Sequence, residues 1–314
     1  MEELKVLMLC CSRFAYPAMH LLAYAGQLKA VVIPMHCEDM YNETLQLLKE
    51  TSIPVYSFTK KEFAEETIKL ITEKEINLGL VLTFSYIIPR SVFQIPAKGF
   101  YNVHPGPLPQ YRGADPIFHQ IKNQEKFAGV TIHELDEGMD SGDIVLMEKI
   151  ILQHTDTYGI METKLANLAQ KQVETLSRIL AMGFAMPSKK QDEKKANFYK
   201  KQELEELTIK WEVMNADAIV ALVNACNPYN KGAATMINNK LIKLLSAEKN
   251  EGENSKNLQP GTIIALDDDV MEVVAIKNES VLIRFIYLDE GFVTPGYLKQ
   301  MGLVAGMCFD STVY

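Results

Sequence analysis

The sequence predicts an α/β protein in two parts, a doubly wound, mostly parallel sheet over residues 1–186 and a small β-barrel over residues 204–314. Three observations carry this. Apolar runs of strand length alternate with amphipathic helical stretches as far as Gly183, and that alternation implies parallel strands with helices on both faces. The polar, lysine-rich segment AMPSKKQDEKKANFYKK then breaks the pattern, so residues 187–203 read as a linker. Beyond it, short apolar runs at near-regular spacing are separated by Gly, Asn and Asp turns, as in a small barrel or sandwich.

Each element has its own signal. KVLMLC is a buried-strand run, Pro17 opens an apolar helical stretch through Ala25, and LKAVVIPM is the next strand. Glu43 to Leu48 is helical in pattern, IPVYSF strand-like, Lys60 to Glu73 an amphipathic helix, and LGLVLTF a buried strand. FAGVTIHEL and IVLMEKIIL are strands, and Leu165, Leu168, Val173, Leu176, Ile179 and Leu180 mark the inner face of a long helix. In the last third, TIKW, AATMI, KLIKLLSA, GTIIAL, MEVVAI and VLIRFIYL are strand candidates and Ala216 to Cys226 is helical. No internal repeat or low-complexity tract is present.

At 314 residues, 47% hydrophobic and 23% charged, the chain has the composition of a globular protein, and no run approaches the ~20 apolar residues of a membrane span. Its start, MEELKVLMLC, lacks the basic and cleavage features of a secretory signal, so a soluble, cytoplasmic protein is expected. Cys10, Cys11, Cys37, Cys226 and Cys308 form no C-x-x-C pair and read as buried free thiols. A net charge of −8 argues against a surface that follows nucleic acid throughout. The basic cluster Lys189, Lys190, Lys194, Lys195, Lys200 and Lys201 is either a solvated linker or a local phosphate-contact patch.

Common α/β chemistries are excluded by the residues present. The first strand-to-helix turn, Cys10-Cys11-Ser12-Arg13-Phe14-Ala15, has no glycine, and no P-loop occurs elsewhere, which argues against nicotinamide cofactors and ATP. The acidic stretch Asp136 to Asp143 lacks the alternating ligands and terminal Glu of a calcium loop, and the six histidines make no His-x-x-x-His pair. No metal is expected.

In the extended segment Phe100-Tyr-Asn-Val-His-Pro-Gly-Pro-Leu-Pro-Gln-Tyr-Arg-Gly113, Asn102 and His104 lie two residues apart and project from one face. Pro105, Pro107 and Pro109 stop strand pairing at once and force a stiff loop where open α/β sheets bind ligands. An Asn-x-His pair alone is as readily a structural histidine. The stretch GVTIHELDEGMDSGDIV adds a carboxylate, Asp140, on a glycine-rich turn between strands, completing a hydrogen-bond donor, a general base and an acid that orients it.

These residues resemble the formyltransferase family that uses 10-formyltetrahydrofolate, whose members share Asn-x-His, a proline-rich loop and an Asp in a Gly-x-Asp-x-Gly-Asp setting, here Gly138 to Asp143. LGLVLTFSYIIPRSVFQIPAKGFYNVH, QYRGADPI and AGVTIHELDEGMDSGDI carry the match. TIKW, NACNPYNKGAAT, QPGTI and YLKQMGLVAGMCF resemble the C-terminal domain of methionyl-tRNA and amino-sugar formyltransferases. The resemblance implies a Rossmann-like sheet, an OB-like barrel, catalytic Asn102, His104 and Asp140, and 10-formyltetrahydrofolate as co-substrate. It places the pterin against Ser85, Tyr86, Ile87, Ile88 and the loop Leu135, Asp136, Glu137, Gly138 and Met139.

Two departures bear on the acceptor. tRNA formyltransferases usually have Ser-Leu-Leu-Pro after the histidine where this chain has Gly106-Pro107-Leu108-Pro109, and their basic insertion after the second strand is replaced by His36-Cys37-Glu38-Asp39-Met40-Tyr41. Residues 206–314 hold nine Lys/Arg against fourteen Asp/Glu. A small amine, such as an amino-sugar nucleotide, is therefore the expected acceptor, ahead of initiator methionyl-tRNA. A formyltetrahydrofolate hydrolase, with water in place of the amine, and a non-catalytic folate-binding module would carry the same motif. Glycinamide ribonucleotide transformylase shares it too, but resembles a single domain ending near Gly183.

Overall fold

The computed structural model describes residues 2–252 and 257–310, so Met1 and positions 253–256 and 311–314 of the expected barrel lie outside the described residues. The first part of the chain runs β1 (Val6–Cys10), α1 (Tyr16–Tyr24), β2 (Leu28–Pro34), α2 (Glu38–Leu47), β3 (Val55–Phe58), α3 (Phe63–Glu73), β4 (Leu78–Leu82), α4 (Arg90–Phe93) and β5 (Phe100–His104). It continues through β6 (Arg112–Gly113), α5 (Pro116–Lys122), β7 (Phe127–Glu134), β8 (Ile144–Ile151), α6 (Tyr158–Ala181) and β9 (Phe198–Tyr199). The rest comprises α7 (Ala216–Ala225), β10 (Ala233–Ile237), β11 (Lys240–Leu244), β12 (Glu248–Lys249), β13 (Ile263–Leu266), β14 (Met271–Val274), β15 (Ser280–Ile283), β16 (Ile286–Leu288), β17 (Gly291–Val293) and α8 (Pro295–Gln300).

The chain clusters into two compact units that are not two consecutive lengths of sequence. One comprises the chain up to Pro116 with Ala128–Ile150 and Glu162–Tyr199; the other comprises Ile117–Phe127, Ile151–Met161 and the chain from Lys200 onward.

The first unit is a seven-stranded sheet in the order β3-β2-β1-β4-β5-β7-β8. β1, β2, β3, β4 and β5 pair in parallel, while β5 and β7 are antiparallel. The order reverses between β1 and β4, and in such sheets the crevice beyond the strand ends at that point holds ligands. Every residue of β1 and β4 is buried, as expected for central strands covered on both faces. Phe63, Thr67, Leu70 and Ile71 bury one stripe of α3, and Phe63, Leu70 and Ile71 pack with Leu7, Leu9, Ala30, Val32 and Phe100 in one apolar cluster. Thr59 and Glu62 satisfy each other's backbone amides just before that helix. Five of the six inner-face positions expected in α6 are buried; Ile179 is half-buried.

In the second unit the short strands form two antiparallel four-stranded sheets, β10-β11-β16-β17 and β12-β15-β14-β13. VLIRFIYL, read as one strand, is two, because the chain bends between β15 and β16. Leu245 N–H donates to the Phe285 carbonyl at 2.9 Å, and Ser246 Oγ accepts the amides of Arg284 and Phe285 at 3.2 and 3.0 Å, so pairing continues around the bend. The segments 240–249 and 280–288 thus pass from one sheet to the other, as strands do at the corners of orthogonally packed sheets. TIKW is not a strand; Thr208 makes only an isolated bridge to Ala234, and the buried Trp211 instead fills the core, donating Nε1–H to Thr235 Oγ1 at 2.9 Å and stacking on Phe309.

Candidate active site

The site is assembled at the ends of β5 and β7 in the first unit. Antiparallel register sets Asn102 opposite His133 and His104 opposite Thr131. Beyond β5 the proline loop is bolted to β7 by Thr131, whose hydroxyl donates to the Gly106 carbonyl at 2.7 Å and accepts the Leu108 amide at 3.1 Å. Gly106 has no room for a side chain, since a Cβ there would stand 2.8 Å from His104 Nε2 and 3.2 Å from Pro116 Cβ.

The loop between β7 and β8 carries Asp140 in a left-handed backbone conformation, φ 52°. Gly142 lets the loop fold flat, because a Cβ on it would fall 1.8 Å from the Glu134 carbonyl oxygen. Asp136 holds the near side of the turn, accepting the Gly138 amide at 3.1 Å and the Ser141 hydroxyl.

The structure brings Asn102, His104 and Asp140 together. Asn102 Nδ2 donates to Asp140 Oδ1 at 3.0 Å, the Gly113 amide donates to Asp140 Oδ2 at 2.8 Å, and His104 Nδ1 stands 3.7 Å from Asp140 Oδ2, within ion-pair distance. His104 is buried, and its Nε2 lies 2.7 Å from the Tyr111 carbonyl oxygen. A carbonyl only accepts, so Nε2 carries the proton and Nδ1 of the neutral ring is left with a lone pair facing Asp140. Burial lowers the His104 pKa more than the Asp140 carboxylate raises it, so the ring is held neutral. Burial by itself would raise the Asp140 carboxyl, but the His104 and His133 rings and the Gly113 amide together hold it well below the usual carboxylate range.

Two further side chains belong to this centre and carry no signal of their own in the sequence. His133 Nε2 is 3.1 Å from Asn102 Nδ2 and 3.5 Å from Asp140 Oδ1. Strand alternation over TIHEL and pairing with the Asn-x-His strand are what would have found it. Gln191, inside the segment read as a linker, donates Nε2–H to the carbonyls of Asp140 at 2.8 Å and Gly142 at 2.7 Å. Its Oε1 accepts from Arg112, which is 1% exposed and also pairs bidentately with Glu193. The segment is thus a strap over the acid loop, further held by the Ile144–Lys189 bridge and by β6 paired with β9. Lys189, Lys190, Lys194 and Lys195 remain exposed on it.

The two loops expected to receive a pterin lie side by side. Tyr86, Ile88 and Leu135 pack on the same apolar cluster, and Arg90 reaches Glu137 at 3.6 Å across them. Ile87 is 81% and Met139 61% exposed, leaving two apolar side chains uncovered. Ser85 contacts His36, with Oγ to Nε2 at 3.2 Å.

All five cysteines are free; Cys10 and Cys226 are buried and the other three half-buried. Burial pushes the Cys11 and Cys226 thiols up to about 12, which leaves little nucleophilic thiolate at neutral pH. Among the described residues no group of three or more His, Cys, Asp or Glu side chains is arranged to hold a metal, and no helix is long and apolar enough to cross a membrane.

Residues 12–177 match the family model for formyl transferase, and residues 201–293 match that for the formyl transferase C-terminal domain. Methionyl-tRNA formyltransferase of Kosmotoga olearia is 35% identical over 247 residues, covering 77% of this chain and 76% of that protein. The enzyme of that name from Rickettsia bellii is 33% identical over 219 residues, 70% of this chain and 69% of its own. Among solved structures, an N-formyltransferase from Helicobacter canadensis in complex with folinic acid and dTDP-3-aminofucose superimposes with a TM-score of 0.70 at 16% identity, covering 90% of this chain and 99% of its own. HypX from Aquifex aeolicus, in complex with tetrahydrofolic acid, gives 0.65 at 18% identity over 95% of this chain and 47% of that one. At such identities the superpositions speak for the fold.

Proposed function

Because the chain belongs to the formyl transferase family, we propose that it moves the formyl group of 10-formyltetrahydrofolate to a primary amine, with Asn102, His104 and Asp140 at the reacting atoms. One observation carries this reading: an amide N–H, an imidazole lone pair and a carboxylate converge, with Asp140 oxygens 3.0 Å from Asn102 Nδ2 and 3.7 Å from His104 Nδ1.

The amine attacks the formyl carbon, and Asn102 turns an N–H toward the oxygen as it gains charge, a contact worth about 10²–10³ in rate. His104 Nδ1 takes the proton the amine must lose and returns it to N10 of the donor as the carbon–nitrogen bond breaks, worth roughly 10²–10⁴. Asp140, ionised beside it, stabilises the imidazolium that forms in between. The products are the formamide and tetrahydrofolate, and no metal is required. The pterin is taken by Ser85, Tyr86, Ile87, Ile88 and Leu135 to Met139, where the uncovered Ile87 and Met139 offer apolar contact to a flat ring.

For the acceptor, a small amine on a nucleotide-type carrier is the better fit on charge. Where tRNA formyltransferases have a basic insertion, α2 begins with Glu38 and Asp39, and the nearby Arg13 is paired with Glu43. Initiator methionyl-tRNA is the second reading, supported by the names of the relatives and by the exposed lysines of the strap. The deciding experiment offers 10-formyltetrahydrofolate with charged initiator tRNA and with amino-sugar nucleotides. Formylation of tRNA that weakens steeply between ~50 and ~200 mM salt, with a slope flattened by neutralising Lys189 to Lys201, would overturn the small-amine reading. Single Ala substitutions of Asn102, His104 and Asp140 are expected to lower transfer by orders of magnitude in folded protein; near-normal turnover by His104→Ala would remove the assignment.

A further inference from the structure

We infer that His133 is a positioning residue for the transfer reaction, the side chain that makes Asn102 present its amide nitrogen rather than its oxygen to the catalytic centre. The inference rests on the role proposed for Asn102 and names what enforces it.

An asparagine amide is nearly symmetric in shape, so its orientation is set by which neighbours donate and which accept. Two neighbours surround the Nδ2 end of Asn102, Asp140 Oδ1 at 3.0 Å and His133 Nε2 at 3.1 Å. The carboxylate accepts only. Nε2 accepts only if the proton of the neutral imidazole is on the other nitrogen. His133 Nδ1 lies 2.8 Å from the Glu134 carbonyl oxygen, which can only accept, so Nδ1 carries the proton and Nε2 keeps its lone pair. A flipped Asn102 would point its oxygen at two acceptors at once and give up two hydrogen bonds in a site where His133 is 2% exposed and Asp140 mostly buried.

The two acceptors come from different elements, so while one keeps Nδ2 turned to the centre the other can release its N–H to the formyl oxygen. Asp140 is placed there by its own loop, by Gly113 and by Gln191. His133 arrives independently, through the register that sets it opposite Asn102 on the neighbouring strand. The same Nε2 is 3.5 Å from Asp140 Oδ1, so a proton there would convert the ring into a donor toward Asp140 and end its hold on Asn102.

A double-substitution cycle tests this on the full-length enzyme, with initiator methionyl-tRNA and a dTDP-linked amino sugar offered as acceptors and tetrahydrofolate release as the readout. His133→Leu removes the acceptor and is expected to lower kcat about 10- to 100-fold, with KM for 10-formyltetrahydrofolate changed less than about threefold. His133→Gln, which can return a carbonyl acceptor to the amide, is expected to recover at least part of the loss, which a purely structural role would not produce. In an Asn102→Ala background His133→Leu should cost almost nothing further. Full activity in His133→Leu, or losses that multiply in the double variant, would overturn the positioning role while leaving that of Asn102 standing. Normal activity in Asn102→Ala alone would overturn the catalytic reading itself, and the inference with it. Should His133→Leu fold poorly, His133→Ala against Asn102→Ala/His133→Ala, which also removes the acceptor, provides the same comparison.

Discussion

Gly106 and His104 are so close that a Cβ on residue 106 would lie 2.8 Å from the imidazole Nε2, the atom that donates to the Tyr111 carbonyl. The ring is buried and held by that bond, and Pro116 Cβ stands 3.2 Å from the same Cβ position, so a side chain at residue 106 must push the ring aside. The Gly-Pro-Leu-Pro loop is therefore matched to this placement of the histidine. Gly106→Ser, which restores the residue usual in tRNA formyltransferases, is expected to displace the ring and lower kcat at least 10-fold, with donor affinity little changed. A Gly106→Ser enzyme with kcat within twofold of the parent would show that the loop adapts.

The protonation state of His104 gives a signed pH prediction. Burial depresses its pKa below the ordinary 6.5, so the neutral base is present throughout the neutral range. The rate should be level above pH 7 and fall on the acid side only below 6.5, the ordinary value. Stability moves the same way: the unfolded chain takes up the proton first, so the contribution of this histidine is full above 6.5 and is lost progressively as pH falls from there through its depressed folded value. Asp140, depressed well below its ordinary 3.8, stabilises the fold above that value and yields only in stronger acid. A rate that climbs from pH 7 to pH 5 would mean that a cationic His104, not a neutral one, is the working form.

Gln191 supports the loop that carries Asp140. With Gln191→Ala, the Asp140 and Gly142 carbonyls lose these donors and Arg112 loses a hydrogen-bond acceptor, keeping Glu193. Removing such partly buried hydrogen bonds costs about 1–3 kcal/mol. A lowered melting temperature together with a reduced kcat is expected; loss of stability at unchanged kcat would show that Asp140 holds its left-handed backbone conformation without the strap.

Much of the fold was legible because its signals are local. The buried runs of β1 and β4 and the 3.6-residue stripe of α6 follow from periodicity, and Pro17 marks the start of α1 to within a residue. The misreadings are equally physical. TIKW has strand composition but is drawn into the core by Trp211, and VLIRFIYL is continuous in sequence yet bends where pairing passes to another sheet. β6 and β9, two residues each, carry no period to detect and exist only through each other.

What the sequence determined by itself is the chemistry available: an Asn and a His on one strand face, three prolines that stiffen the segment beyond them, and an acid on a glycine turn. Their meeting depends on contacts between residues 27 to 51 positions apart along the chain, from Asp140 to Gly113 and from Asp140 to Gln191. Only the tertiary structure decided that strand register would put His133 against Asn102, that a lysine-rich stretch with the composition of a linker would strap the acid loop, and that residue 106 would have no room for a side chain beside His104. Composition and period record which groups a residue carries and which face it occupies; which donor meets which acceptor is settled by packing between segments that the linear pattern does not connect.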